Sequence, residues 1–115
     1  MEDEDNSELE TISMTIIANS GAARSMAYEA LALAKANDFA GAKSKLKEAD
    51  AQMNIAHKAH TRLLQMDAQG LICKVTSLSA HAQDHIMTGM VVLEMAAELI
   101  ELYERKQDKP CKEEK

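Results

Sequence analysis

The segment Ser79-Ala80-His81-Ala82-Gln83-Asp84-His85-Ile86-Met87-Thr88 places imidazole, amide, carboxylate and hydroxyl groups at the start of a long, apolar, helix-favouring stretch. In a helix, residues three and four positions apart are neighbours, so His81 lies beside both Asp84 and His85, and Asp84 lies beside Thr88. No other part of the sequence concentrates reactive side chains so densely. The segment therefore predicts one helix that carries a polar site.

The composition around this segment favours helix throughout. Only one Pro and four Gly interrupt 115 residues rich in Ala, Leu, Glu, Lys and Met, the residues that lose least on entering a helix. A chain of this length forms one domain that buries roughly two-thirds of its unfolded surface. We predict an all-α fold with a single domain over residues 1–115, in which residues 1–6 and 108–115 are disordered tails.

Charge and composition exclude several classes of partner. The 19 acidic and 13 basic side chains give a net charge of −6, and one Phe and two Tyr offer little stacking surface for bases, so no nucleic acid partner is expected. No apolar run approaches the roughly 20 residues of a membrane span, and the N-terminus is acidic, unlike a signal peptide. We expect a cytoplasmic protein without direct membrane insertion, and the two cysteines, Cys73 and Cys111, as free thiols.

The first helix is predicted over residues 8–35. Ser7 followed by Glu10 matches a capping box, and an apolar residue recurs on one helical face up to Ala34. Gly21 interrupts this face at a cost of about 1 kcal/mol relative to Ala. Either a neighbouring helix approaches closely at Gly21, or the glycine is tolerated without a role.

Two further helices follow. Asn37-Asp38 supplies a stop and a new N-cap for a second helix that begins at Phe39 and forms an αα-hairpin with the first. Residues 66–74, which contain Gly70, are predicted as the second connection. Thr76 or Ser77 then caps a third helix that ends near residue 106. The basic residues on the outer face of the second helix form either a solvated surface or a docking patch for an acidic or phosphorylated partner.

The third helix has two apolar stripes. At about 100° per residue, one stripe suits packing against the first two helices and comprises Ile86, Met90, Leu93, Ala97 and Ile100. The other follows the alternating four-three spacing of a heptad seam and comprises Asp84, Thr88, Val91, Met95, Glu98 and Leu102. Two neighbouring helices cannot cover so wide a surface, so we predict a homo-oligomer built on the third helix.

Asp84 heads this second stripe. Copies of Asp84 around a symmetry axis would bring like charges together, which is costly unless the carboxyls are protonated or share a cation. Asp84 is therefore a candidate shared metal ligand. The alternative is a partly exposed acid that the helix macrodipole favours near a helix start.

The histidines suggest two kinds of chemistry. His81 and His85 have the spacing that chelates Zn, Ni or Cu, although no further ligand completes a recognisable set. A neutral imidazole is also a competent nucleophile at cytoplasmic pH, and His81 lies near a positive helix end, where hydroxyl, amide and imidazole groups can donate to a phosphoryl group. The hydroxyls of Ser77 and Ser79, together with Gln83 and His85, are the candidate donors. His57 and His60 are expected to be packing or capping residues.

The segment His81–Thr88 closely resembles the active-site signature of the lactose/cellobiose-type enzyme IIA components of the bacterial sugar phosphotransferase system. The resemblance spans about residues 12–105, is closer to the cellobiose/chitobiose branch than to the lactose branch, and extends to residues 17–25, 38–40, 42–43, 56–57 and 98–103. The sequence departs from the family at His60, where relatives often have Gln, at the Leu71-Ile72-Cys73 loop, which relatives make Gly-rich, and at Leu78-Ser79-Ala80, where relatives carry a bulkier apolar run.

This resemblance implies a homotrimer of antiparallel three-helix subunits with the third helices around the axis. By the resemblance, His81 accepts a phosphoryl group on Nε2 from phospho-HPr and passes it to a cysteine of the IIB component during uptake of a β-linked disaccharide such as cellobiose or chitobiose. Asp84 corresponds to the aspartate whose three copies share a divalent cation, expected to be Mg²⁺, and Gln83 and His85 to residues that shape the site.

Two other functions fit the residues. One is a non-catalytic helical adaptor that keeps the fold and binds partners without transferring phosphate. The other is a metal-binding helical bundle that uses His81, Asp84 and His85. Acceptance of a phosphoryl group by His81 would discriminate the carrier from both.

Overall fold

The computed structural model describes residues 2–108, which form three helices and no strand. The helices are α1 (Glu2–Lys35), α2 (Phe39–Ala68) and α3 (Ser77–Asp108). They form an antiparallel bundle in which α1 packs against both other helices, while α2 and α3 share a smaller interface. The prediction of an all-α, three-helix subunit is confirmed. In the described part of the chain, no helix is long and apolar enough to cross a membrane.

The first helix starts earlier than the sequence predicted. α1 begins at Glu2, five residues before Ser7, so Ser7 lies inside the helix and the predicted helix start with its capping box is wrong. The disorder predicted for residues 1–6 stays a prediction. The residues before Ser7 are mostly acidic, and the helix macrodipole favours acidic residues in a first turn, which allows the helix to extend past the local capping signal. The other predicted tail, with Cys111, lies beyond Asp108 and outside the described residues.

The turn between α1 and α2 follows the predicted stop. Asn37 has a φ of 67°, and the Asp38 N–H donates to the Leu33 carbonyl at 2.9 Å, as in a Schellman motif. The Asp38 side chain then caps α2, because its Oδ1 accepts from the Gly41 N–H at 2.9 Å. This turn makes the two helices antiparallel within three residues.

The second connection begins later than predicted. α2 continues to Ala68, and Met66, which the sequence analysis assigned to the connection, is buried in the core. The helix ends where Gly70 adopts a φ of 76° and the Leu71 N–H donates to the Met66 carbonyl at 2.9 Å. Burial of the Met66 side chain in the core stabilises the helix past the predicted end. The helix ends at Gly70 because glycine adopts a left-handed conformation at little cost.

The core lies between the three helices and contains small residues from α1, which let the helices approach. α3 contributes Ala82, Ile86, Leu93, Ala96 and Ile100. The predicted stripe is right at three of these positions, but Ala96 is buried and Ala97 is exposed. The close approach proposed for Gly21 occurs instead at Gly89, since a Cβ at Gly21 would meet nothing within 4 Å, whereas one at Gly89 would lie 3.5 Å from the carbonyl oxygen of Ser20.

The basic residues of α2 form ion pairs along the surface. Lys43 Nζ lies 2.8 Å from Glu104 of α3, and Arg62 lies 2.9 Å from Glu8 of α1. Lys45 Nζ lies 3.3 Å from Glu29, and this carboxylate, followed by that of Glu48, raises the pKa of Lys45 above its ordinary value. These pairs favour the solvated-surface interpretation over an unpaired basic docking patch.

Candidate functional site

The start of α3 is fixed by a reciprocal cap. Thr76 Oγ1 accepts from the Ser79 N–H at 3.0 Å, and Ser79 Oγ accepts from the Thr76 N–H at 3.0 Å. This confirms Thr76 as one of the two predicted caps. Ser79 is buried and its hydroxyl is committed to Thr76, so the expectation that it serves as a phosphate donor is wrong.

His81 and His85 meet one turn after this cap. Their Nε2 atoms are 3.1 Å apart, and their rings stack edge to face with centroids separated by 4.5 Å. His81 is exposed and His85 is partly buried. A hydrogen bond between two neutral imidazoles requires that one Nε2 carries a proton and the other a lone pair. The structure therefore brings together, at their Nε2 atoms, the two histidines that the spacing predicted.

The other predicted site residues lie on the same helix. Asp84 is exposed, and Gln83 is partly buried. Thr88 contacts the site through its hydroxyl, which donates to the backbone carbonyl of Asp84 at 2.8 Å and also lies 3.3 Å from that of His85. Thr88 is thus next to Asp84 as predicted, but it leaves the Asp84 carboxylate available for other partners.

The outer face of α3 is apolar and uncovered in a single subunit. Val91 is 57% exposed, Met95 54% and Leu102 62%. These residues belong to the predicted second stripe, which lies on the side of the helix opposite the buried stripe. Asp84 is at one end of this exposed face, and His81 flanks it. We refer to the face formed by Asp84, Thr88, Val91, Met95, Glu98 and Leu102 as the seam.

The two histidines of α2 lie elsewhere. His57 borders a groove between α2 and α3 together with Met90. His60 is partly buried, and its Nε2 atom is enclosed without a hydrogen-bond partner among the described residues. Neither residue contacts the His81–His85 pair through a hydrogen bond in the described chain. They are consistent with the packing role expected for them.

The metal-binding capacity of one subunit is limited. Among the side chains that the structure describes, those of residues 7–107, no three His, Cys, Asp or Glu cluster closely enough to hold a metal ion. Asp84 therefore offers one carboxylate per chain, whereas Mg²⁺ requires about six oxygen ligands in an octahedron. Its exposure at the head of the seam fits a shared cation only if copies of the chain contribute further carboxylates.

Sequence reasoning missed the packing role of one glycine in the helix that carries the site. Gly89 lies one turn beyond His85, and its missing side chain lets α3 approach Ser20 of α1 and Met53 of α2. The signal was a glycine interrupting an otherwise apolar helix, which indicates close packing when the residue faces a neighbour.

Comparison with known proteins identifies the family. Residues 11–104 match the profile of the family described as "PTS system, Lactose/Cellobiose specific IIA subunit". The N,N'-diacetylchitobiose-specific EIIA component of Escherichia coli K12 is 47% identical over 98 residues, which cover 85% of this chain and 84% of that protein.

Two solved structures share the fold. The PTS cellobiose-specific enzyme IIA from Bacillus anthracis gives a TM-score of 0.85 at 41% identity, covering 89% of this chain and 94% of that one. The chitobiose IIA in complex with HPr from Escherichia coli gives a TM-score of 0.75 at 44% identity, covering 86% and 96%. The chain therefore belongs to the lactose/cellobiose-specific IIA family and is a phosphotransferase-system component of the cellobiose/chitobiose type.

Proposed function

We propose that this IIA component is a phosphohistidine carrier that accepts a phosphoryl group on Nε2 of His81 from phospho-HPr and passes it to a cysteine of a IIB component. The observation that carries the proposal is the exposed His81 imidazole, whose Nε2 faces Nε2 of His85 at 3.1 Å near the start of α3. The solved complex of chitobiose IIA with HPr supports HPr as the donor.

The transfer requires a lone pair on His81 Nε2. His81 is nucleophilic at this atom when its ring proton resides on Nδ1, so the proton between the two Nε2 atoms belongs to His85. The His81 Nε2 lone pair attacks phosphorus, a new P–N bond forms, and the P–N bond to the donor histidine breaks. The cysteine thiolate of the IIB component then attacks phosphorus, a P–S bond forms, and the P–N bond to His81 breaks, which returns the lone pair to Nε2.

His85 and Gln83 then act on the transferred group. Once His81 Nε2 is bonded to phosphorus, the His85 N–H has lost its nitrogen acceptor and can donate to a phosphoryl oxygen from the same side. Gln83 follows His81 by two residues and is partly buried, and we assign its side-chain amide the role of an uncharged donor in the assembled site. Phosphoryl transfer depends mainly on such positioning and charge stabilisation, so these two residues shape the site rather than react.

The seam supports assembly into a homotrimer. Val91, Met95 and Leu102 leave an apolar strip open on the single subunit, and a second and third α3 would cover it by heptad packing. In that arrangement three Asp84 carboxylates surround the axis and would hold a divalent cation, proposed to be Mg²⁺, which neutralises their mutual repulsion.

The transported sugar is proposed from the relatives. The chitobiose and cellobiose specificity of the similar proteins indicates uptake of a β-linked disaccharide of this kind. In this proposal the chain transfers the phosphoryl group and does not bind the sugar. Exchange of the group with HPr takes place in the cytoplasm, so we propose that the chain is cytoplasmic.

The proposal is tested by intact mass. The chain is incubated with phosphoenolpyruvate, enzyme I and HPr, and its mass is compared with that of the His81→Gln variant. A gain of one phosphoryl group in the wild type alone is the expected result. If HPr becomes phosphorylated and this chain does not, the carrier function is refuted and the adaptor function is favoured.

A further inference from the structure

The two histidines of the site present their nitrogens in a geometry that suits a metal ion as well as a hydrogen bond. The Nε2–Nε2 distance is 3.1 Å. Two nitrogens at two corners of a tetrahedral Zn²⁺ site, with Zn–N bonds of about 2.0–2.1 Å, lie about 3.3 Å apart. A small rotation of either ring about its bond to Cβ covers this difference, and the exposed His81 ring is free to make it.

We propose that His81 and His85 form a bidentate site for a borderline divalent transition-metal ion, represented by Zn²⁺, and that the bound ion excludes the phosphoryl group from His81. Imidazole nitrogen binds Zn²⁺, Ni²⁺ and Cu²⁺ in preference to Mg²⁺. The exclusion of the phosphoryl group by the bound ion rests on the proposed phosphocarrier function, whereas the metal site itself does not.

Binding changes the state of one proton. In the free pair, one Nε2 carries a proton and donates it to the other. When the ion binds, the His85 proton moves through solvent from Nε2 to Nδ1, so that each neutral ring carries its one proton on Nδ1, no proton is released in net, and both Nε2 lone pairs bond to the metal. The lone pair that would attack phosphorus is then occupied, so phosphorylation and metal binding compete for the same atom.

The site is open on its outer side. No third His, Cys, Asp or Glu side chain of residues 7–107 joins the pair, so water completes the coordination. Asp84 lies on the adjacent seam rather than between the two rings. The ion proposed here is therefore distinct from the cation that three Asp84 residues would share, and its stoichiometry is one per chain instead of one per trimer.

The metal site is tested by calorimetric titration of ZnCl₂ into the folded wild-type protein and into three variants. We expect one ion per chain for the wild type and for His57→Gln, a matched histidine outside the pair. We expect the affinity of His85→Gln to fall by at least about tenfold. Asp84→Asn should retain the ion.

Several outcomes overturn the site. These are no saturable binding to the wild type, equal binding to His85→Gln, or one ion per three chains that disappears in Asp84→Asn. Circular dichroism melts of each variant show whether a loss reflects unfolding. His81→Gln provides a second removal of one ligand, so the conclusion does not depend on one variant.

The exclusion is tested with phospho-HPr prepared beforehand. Saturating Zn²⁺ should suppress the gain of one phosphoryl group on wild-type protein, while HPr in the same mixture stays phosphorylated and excess EDTA restores the transfer. Full phosphorylation with the ion bound would refute the exclusion. Absence of phosphorylation without Zn²⁺ would refute the carrier function instead and leave the calorimetric result standing.

Discussion

Thr76 and Ser79 bond to each other twice at the start of α3, each hydroxyl accepting from the backbone N–H of the other residue at 3.0 Å. Replacing Thr76 by Ala removes one acceptor, so we expect Thr76→Ala to lower the free energy of unfolding by about 1 kcal/mol. Chemical denaturation measures the change. Thr76→Ser keeps a hydroxyl and should remain within about 0.5 kcal/mol of the wild type, and equal losses in both variants would contradict the cap.

His85 is expected to control the rate of phosphoryl acceptance. In His85→Ala the donor that faces His81 Nε2 is absent, so the rate of transfer from phospho-HPr should fall by about 10²-fold while His81 still accepts the group. Rapid-quench measurement of the phosphorylated fraction gives the rate. His57→Ala is the control, because His57 lies in the groove between α2 and α3. A similar decrease in both variants would show that His85 has no special role.

Met95 is expected to hold subunits together. A lysine at this position places a charge in the middle of the seam, where desolvating it is costly, so Met95→Lys should turn a trimer into a monomer. Tyr28→Lys is a matched control on α1, because Tyr28 is 52% exposed and Met95 is 54% exposed. Sedimentation equilibrium measures the mass, and a trimer that survives Met95→Lys would exclude the seam as the interface.

Asp84 is expected to make assembly depend on a divalent cation. Removing Mg²⁺ with EDTA should weaken the wild-type trimer, since three carboxylates then repel one another without compensation. Asp84→Asn should assemble equally well with and without Mg²⁺. The monomer–trimer equilibrium is measured by sedimentation at several concentrations. Glu94→Gln, outside the seam, should keep the cation dependence, and its loss there would point to a general charge effect.

Lys45 is expected to contribute to stability up to alkaline pH. Glu29 and Glu48 raise its pKa above 10.5, so the stabilisation is complete below that value and is lost as the pH rises through the folded-state pKa. In Lys45→Gln the thermal midpoint should therefore fall less above about pH 10.5 than in the wild type. Lys47→Gln is the control, because Lys47 forms no ion pair among the described residues. Parallel pH profiles of Lys45→Gln and the wild type would contradict this contribution.

The sequence predicted the parts of the fold that depend on helical period. The helix count, the cap at Asp38 and the pairing of His81 with His85 all follow from spacing and local chemistry, and the structure has them. The limits of the helices were less accurate, because local capping signals compete with tertiary packing. Ser7 did not start α1, and Met66 stayed helical because its side chain fills the core.

The finer structure of the site depends on details that spacing does not determine. Whether a hydroxyl faces solvent or a backbone group is a matter of rotamer and of the residues around it, so Ser79 looked like a free donor although it is buried in the cap. Likewise, Ala96 and Ala97 are equally apolar, and only the packed bundle determines which of them points inward. The Nε2–Nε2 contact of the histidines required both ring orientations and could not be read from the sequence.

α3 meets its own subunit on one side and leaves Val91, Met95 and Leu102 outward on the other, with His81 at the border of the two. In the proposed trimer, a substitution in this helix would affect both the packing of the subunit and its contacts with the neighbouring copies. We therefore expect few substitutions to be tolerated in α3. Substitutions on the solvated outer face of α2 and in the connection at residues 69–76 are expected to be tolerated more readily, because they change neither the core nor the seam.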